Sequence, residues 1–328
     1  MMKKQRLPLG NSDSIRFNKY DDLADANDLE MLFEILSSVK DINGNTAIFT
    51  PFCLVANPDF EKIKKDDFQT YYYESFLTTL KKQNKTRAWN LWKEGARHNT
   101  FVPEFHGREH LNVALWMRDL RGGNKITVEG FKYNFWGFRP EKSQLNYQAA
   151  FDLQNRKDIH YQKETLIDGL KLFESIHGKK AKCFVPPNGP FSNQLEPVTA
   201  EFGIDFISTS KFNKEPLGNK QIRRRFRYLG KTNKSGQQYL TRNAFFEPSN
   251  PKKSDWLNSC LNEIQYAFKL NKPATISTHR VNYIGCHSEK NRDKSLKQLK
   301  FLLDKIVMTW PDVEFVSSSD LGRILRRQ

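Results

Sequence analysis

The stretch Phe105-His106-Gly107-Arg108-Glu109-His110 decides how the rest of the chain is read. Two imidazoles four residues apart meet within one helical turn or across a tight loop. Neutral imidazole is the commonest biological metal ligand, so this spacing is half of a zinc-type site. The same letters satisfy H-x-x-E-H, an inverted metalloprotease motif with Glu109 as base, but that motif must lie inside a helix. Gly107 costs a helix about 1 kcal/mol relative to alanine. Residues 100–105 read as a short strand, so a strand-end loop is the expected setting for the pair.

Outward from this stretch, short apolar runs alternate with segments of helical period. Strands are expected at 14–20, 46–55, 100–105, 182–185, 204–209, 274–278 and 313–317, each bounded by turn residues or a helix. Asn27, with Glu30 three residues on, looks like the cap of a helix carrying Leu29, Leu32, Ile35, Leu36 and Val39. Leu296, Leu299, Leu303, Ile306 and Val307 mark another helix, stopped by Pro311. Residues 60–98 read as mostly helical. Residues 124–160 have little period and many aromatics, a long excursion from the pattern. A hairpin is expected around Asn233-Lys-Ser-Gly236. About seven strand–helix units fit a distorted, incomplete (β/α) barrel better than a doubly wound sheet. No G-x-G-x-x-G suggests a dinucleotide. The expectation is an α/β fold in one domain spanning 1–328, with its core at about 14–318.

Composition narrows the function. Of 328 residues, 38% are hydrophobic and the net charge is +16, enough apolar content for a large core and enough charge to favour polyanionic neighbours. The densest basic run is Arg223-Arg224-Arg225-Phe226-Arg227. It reads as a surface for an acidic glycan, an anionic membrane or nucleic acid, but no nucleic-acid fold accompanies it, so nucleic acid is the less favoured partner. The four cysteines are far apart, which excludes a disulfide scaffold or zinc knuckle. The basic N-terminus has no apolar run behind it and no stretch reaches the roughly 20 apolar residues of a membrane span. A cytoplasmic location is expected.

Barrels of this kind carry their sites on loops after the C-terminal ends of strands. Asp21 and Asp22, then His106 and His110, then Pro186-Pro187-Asn188-Gly189, then His279 all fall at such ends. A carboxylate with two imidazoles leaves open positions for water and substrate, and it leaves one aspartate and one histidine spare as base and acid.

The order Tyr20-Asp21-Asp22, His106-x-x-x-His110, Phe184-Val-Pro-Pro-Asn-Gly189 and Ser277-Thr278-His279 resembles the polysaccharide deacetylases with the NodB homology domain, the carbohydrate esterase family 4 type, over residues 14–318. The resemblance implies a divalent metal, commonly zinc, and a carbohydrate substrate, acidic polysaccharide included. It implies hydrolysis of N- or O-acetyl groups, a metal-bound water attacking the acetyl carbonyl. Carried over by position, Asp22, His106 and His110 are the metal ligands, Asp21 is the general base and His279 the general acid. Pro187, Asn188, Gly189 and Arg242 fall on the substrate side. Asp205 and Glu247 are the candidate partners for His279.

The chain departs from the family pattern at three points. Val185 stands where the family has an arginine that holds the base aspartate, and Arg242 is the candidate replacement. Leu23 follows Asp22 where a glycine is usual. Ser208-Thr209-Ser210 stands in place of a tryptophan–aspartate segment. The alternative expectation is therefore a catalytically altered or inactive barrel that binds an anionic glycan or nucleic acid through its basic surface.

Overall fold

The computed structural model describes residues 12–138 and 145–327. The chain divides into two compact units. The segments Phe52–Thr79 and Glu104–Leu240 form one, and Ile15–Pro51, Leu80–Pro103 and Thr241–Gln328 form the other.

The first unit contains nine strands among its described residues: β1 (Phe52–Leu54), β2 (Ala56–Pro58), β3 (Tyr73–Ser75), β4 (Glu104–Gly107), β5 (Cys183–Phe184), β6 (Phe206–Ser208), β7 (Phe212–Gly218), β8 (Gln221–Phe226) and β9 (Gln238–Leu240). Five of them form one sheet in the order β1-β4-β5-β6-β9, every pair parallel. Neighbours follow chain order without the reversal that a doubly wound sheet requires, as in an incomplete (β/α) barrel. Phe105, Phe184, Phe206 and Ile207 are at most 1% exposed, as expected of parallel strands covered on both faces. Glu104, itself 1% exposed, accepts from the N–H groups of Lys182 (2.7 Å) and Cys183 (2.8 Å), so one buried carboxylate sets where β5 begins beside β4.

The aromatic excursion turns out to be a core. Phe131, Phe138 and Tyr147 pack with Trp116, Leu115 and Leu120 of the helix Val113–Arg121. Trp116 is fully buried, which at about 25 cal/mol per Å² over roughly 200 Å² amounts to about 5 kcal/mol of transfer energy. A helix, Lys125–Lys132, also lies inside this stretch. Part of the excursion, 139–144, lies outside the described residues.

In the second unit, β10 (Ala244–Phe245) and β11 (Ile276–Ser277) pair in parallel. Helix Ala26–Ser37 buries Leu29, Leu32 and Leu36, and helix Glu289–Thr309 buries Leu296, Leu299, Leu303 and Ile306. The two helices pack on each other. The cap of the first is Asp25 with Asp28 completing a capping box, two residues before the expected Asn27.

Three expected strands differ. Residues 14–20 belong to a helix, Ser12–Tyr20, so Asp21 and Asp22 follow a helix and not a strand. The alternation misleads because the inward residue is a cation. Arg16 is 5% exposed and bonded to Glu247, while Ile15 faces outward. Residues 313–317 form no strand. Their backbone is held singly, Ile42 N–H to the Val313 carbonyl and Phe315 N–H to the Asp41 carboxylate. The long strand expected over 46–55 is broken at Pro51, leaving β1 after it. At 232–238 an antiparallel bridge, Thr232 to Gln238, closes the expected hairpin.

Candidate active site

His106 is the third residue of β4 and is partly buried. Its Nδ1 lies 2.6 Å from the carbonyl oxygen of Val185. A carbonyl only accepts, so Nδ1 carries the proton and Nε2 is the basic nitrogen of the neutral ring. Fixing one ring nitrogen so that the other can ligate is the usual outer-shell arrangement of metal-binding histidines. The His110 ring stands 5.2 Å from that of His106, at 71° to it.

The backbone between them requires a glycine. Gly107 has φ +127°, and a Cβ there would lie 3.3 Å from the Glu109 carbonyl and 3.5 Å from Pro187 Cγ. The stretch is strand and bend, not helix. Glu109 is 2% exposed, with both carboxylate oxygens taken by Arg108 (2.7 and 2.9 Å). It is therefore an internal counter-ion and cannot serve as a protease base. Arg108 also reaches Asp168 (2.9 Å), which accepts from Tyr73 Oη (2.6 Å), and its guanidinium lies 4.4 Å from the Tyr73 ring centroid. Gly169 of helix Asp158–His177 lies under this segment, since a Cβ there would meet Arg108 N at 3.0 Å. The two residues inside the motif thus anchor it from below.

Beside the pair, Pro186 to Gly189 form a turn closed by Gly189 N–H to the Pro186 carbonyl (3.1 Å). Asn188 takes φ +54° and is exposed, and Pro187 is buried against Gly107. Val185, in the position expected of an arginine, contributes through its main chain alone, holding His106.

In the second unit, Asp21 is clasped by Arg280: Nε to Oδ1 and Nη2 to Oδ2, each 3.0 Å. Bidentate pairing fixes the plane of a carboxylate as well as its charge. Arg242, the expected replacement for the missing arginine, instead donates to Ser277 Oγ at 3.1 Å. The residue holding Asp21 adjoins His279 in sequence, a position that no motif signals.

His279 follows β11 and is half exposed. Its Nδ1 donates to Glu247 Oε1 at 2.5 Å. Glu247 is 6% exposed and also accepts from Arg16 Nη1 (2.9 Å) and Asn282 Nδ2 (3.1 Å). Burial pushes its carboxyl up, but the hydrogen bond and charge of His279, then the hydrogen bonds of Arg16 and Asn282, outweigh this and hold it below the usual carboxylate range. Of the two partners expected for His279, Glu247 takes the role. Asp205 lies in the first unit, paired with Lys182 at 3.2 Å.

Asp22 accepts from Lys85 Nζ (3.0 Å) and Leu23 N–H (2.7 Å), and from the Cys286 thiol. Burial raises its carboxyl, yet these hydrogen bonds and the lysine charge leave it below its ordinary value. Cys286 and His287 place ligand atoms within 4.8 Å of Asp22 and of each other, the one such metal-competent group of three among the described residues. Lys85 and Arg280 went unnoticed in the sequence because each acts through a partner far along the chain.

No family model matches the chain, and no curated protein does. Solved structures with similar folds include a Mycobacterium smegmatis protein assigned as a polysaccharide deacetylase, at 11% identity and TM-score 0.45, covering 92% of this chain and 77% of that one. They also include the α-amylase AmyC of Thermotoga maritima (8%, TM-score 0.42, 96% and 68%) and an allantoinase (11%, TM-score 0.37, 70% and 67%). Three different chemistries at identities this low leave the activity to be argued from the residues. No helix among the described residues is long and apolar enough to cross a membrane.

Proposed function

We propose that the chain is a metal-dependent hydrolase that removes acetyl groups from a sugar or polysaccharide. One observation carries this: a histidine seated on a buried carboxylate, His279 on Glu247, adjoins an arginine that clasps an aspartate, Arg280 on Asp21. An oriented acid next to an oriented base is what amide or ester hydrolysis needs. Neither group is buried away from substrate, since both side chains keep solvent exposure.

In this reading His106 and His110 would hold a divalent ion. Imidazoles suit a borderline ion such as zinc, and the tautomer fixed by Val185 makes Nε2 of His106 the basic nitrogen. Such an ion, when bound, polarises the acetyl carbonyl and lowers the pKa of its water. Asp21, its plane fixed by Arg280, accepts the proton of the attacking water. His279, held at Nδ1 by Glu247, delivers a proton from Nε2 to the departing amine or alkoxide. Pro187, Asn188, Gly189 and Arg242 are assigned to the substrate side. Whether the acetyl is N- or O-linked is decided by assaying acetate release from an acetamido sugar oligomer and an O-acetylated one. The His279→Ala variant is expected to slow the amide more than an aryl ester, whose leaving group needs no proton. Equal slowing of both would remove His279 from the role of acid.

A further inference from the structure

The basic run found in the sequence forms one edge of a rigid two-stranded surface. β7 and β8 pair antiparallel with Phe212 opposite Phe226, Lys214 opposite Arg224, and Pro216 opposite Ile222. Directly opposed residues share a face, so these six make one face of the hairpin. The other face carries Asn213 and Glu215, both 3% exposed, with Arg225 paired to Glu215 at 2.7 Å. That face is packed at Asn213 and Glu215, with Arg223 opposite Glu215 exposed at its edge.

The outward face is open apart from Pro216, which is buried. Phe212 is 78% exposed, Ile222 55% and Phe226 54%, and Tyr228 beyond the strand end is 51%. The Phe212, Phe226 and Tyr228 rings follow one another at 5.4 and 6.1 Å. Lys214 and Arg224 stand directly opposite each other, a like-charge pair that destabilises a ladder. Among the described residues neither side chain has an ion-pair partner, and the face carries no carboxylate. Exposed aromatics beside unneutralised cations mark a surface that a polyanion with flat apolar faces would complete.

The hairpin is also fixed in place. At its tip, Asn219 N–H donates to the Gln154 carbonyl (2.8 Å), and Gly218 lies so close to Arg156 that a Cβ would meet its N at 2.5 Å. On its packed face, Asn213 Nδ2 donates to the carbonyl of Gly189 (3.0 Å). That carbonyl belongs to the turn whose Pro187 lies against Gly107, between the two histidines. The hairpin leaves the C-terminal end of β6 and is bonded to the loop that leaves the C-terminal end of β5. It therefore flanks the histidine pair within the same unit.

We infer that the outward face of β7 and β8 binds an acidic polysaccharide, sugar rings stacking on Phe212, Phe226 and Tyr228 and their carboxylates meeting Lys214 and Arg224. The choice of a carbohydrate over another polyanion rests on the sugar-deacetylase reading and on the bond by which the hairpin's packed face joins it to the Pro186–Gly189 turn. A nucleic acid would satisfy the charge but gives no reason for that attachment beside the histidine pair.

Binding of the full chain to alginate, to neutral dextran and to single-stranded oligothymidylate tests this. Alginate should bind with an affinity that falls as salt rises, and dextran should not bind. The Lys214→Glu, Arg224→Glu variant should bind alginate about tenfold or more weakly. The Phe212→Ala, Phe226→Ala variant should lose several-fold at high salt as well, with melting temperatures unchanged because all four side chains are exposed. Alginate affinity unaffected by both variants would overturn the inference. So would tighter binding of oligothymidylate than of alginate at equal salt, lost in the same variants. These readouts need no turnover. A chain that releases no acetate yet shows this variant pattern would refute the deacetylase reading and uphold the surface.

Discussion

His106 is oriented by a main-chain carbonyl just past the end of the adjoining strand, whereas His279 is oriented by a side chain, Glu247, 32 residues away in sequence. The contrast extends to their surroundings. In the first unit the polar partners of the histidine segment are near neighbours in sequence or in the sheet: Arg108 bonds the adjacent Glu109, and Val185 directly follows the next strand. In the second unit Arg280 reaches Asp21 across 259 residues, and Arg16 reaches Glu247 across 231. Backbone-held groups are as rigid as the sheet itself. Side-chain-held groups depend on buried charges whose loss is felt both in stability and in function.

The largest expected effect is on turnover in the second unit. Asp21→Asn should keep the fold and the metal and lower acetate release by roughly 100-fold or more, the usual worth of a general base. Arg280→Ala should give a smaller loss, because it removes orientation and not the base. If Arg280→Ala were as fast as wild type, the clasp on Asp21 would have no catalytic meaning.

Next in size is the cost of breaking the buried pair. Arg16 is 5% exposed and Glu247 8%, so Glu247→Ala should destabilise the chain by about 3 kcal/mol, the cost of leaving a buried cation unpaired. Denaturant unfolding measures it. A loss under about 1 kcal/mol, the range of an exposed pair, would show that this network is not needed to hold the second unit together.

In the first unit the corresponding test is steric. Alanine for glycine in a helix ordinarily stabilises by up to about 1 kcal/mol. Gly169→Ala should do the reverse, costing about 1–3 kcal/mol, because its Cβ would press on the Arg108 backbone at 3.0 Å. The displaced segment carries both histidines, so metal affinity should fall along with stability.

The smallest effect is a pH slope. His177 packs between Phe173 and Phe76, and burial, then the Lys179 charge, lowers its pKa from 6.5 to about 4. The unfolded chain therefore binds this proton first as pH falls. The contribution is present in full above pH 6.5 and is lost progressively as pH falls to about 4. His177→Phe should flatten the stability curve across that window, as read from melting temperature against pH. An unchanged slope would assign acid lability to the carboxylates, among them Glu247, whose lowered pKa acts in the same direction at lower pH.

The sequence made the first unit more legible than the second, and for the same physical reason. The strand carrying His106 and the turn at Pro186 are local patterns, and each stands close to where it was expected. The helix at Ser12–Tyr20 was hidden because its buried residue is Arg16, whose partner cannot be read from its neighbours. Arg280 was hidden likewise: nothing around it distinguishes a clasp on Asp21 from a solvated cation. Lys85 at Asp22 follows the same rule. The basic run was visible as charge, but only the register of β7 and β8 separates Arg225 and Arg227, which are paired inward, from Arg224 on the open face.

The most direct test of the central claim is metal content, by elemental analysis of the purified chain beside two double variants. The wild type should carry one divalent ion per chain, His106→Ala, His110→Ala should carry none while melting as the wild type does, and Cys286→Ser, His287→Ala should keep it. Full metal in the first variant, or its loss only in the second, would contradict a site built on the two histidines of β4 and its loop.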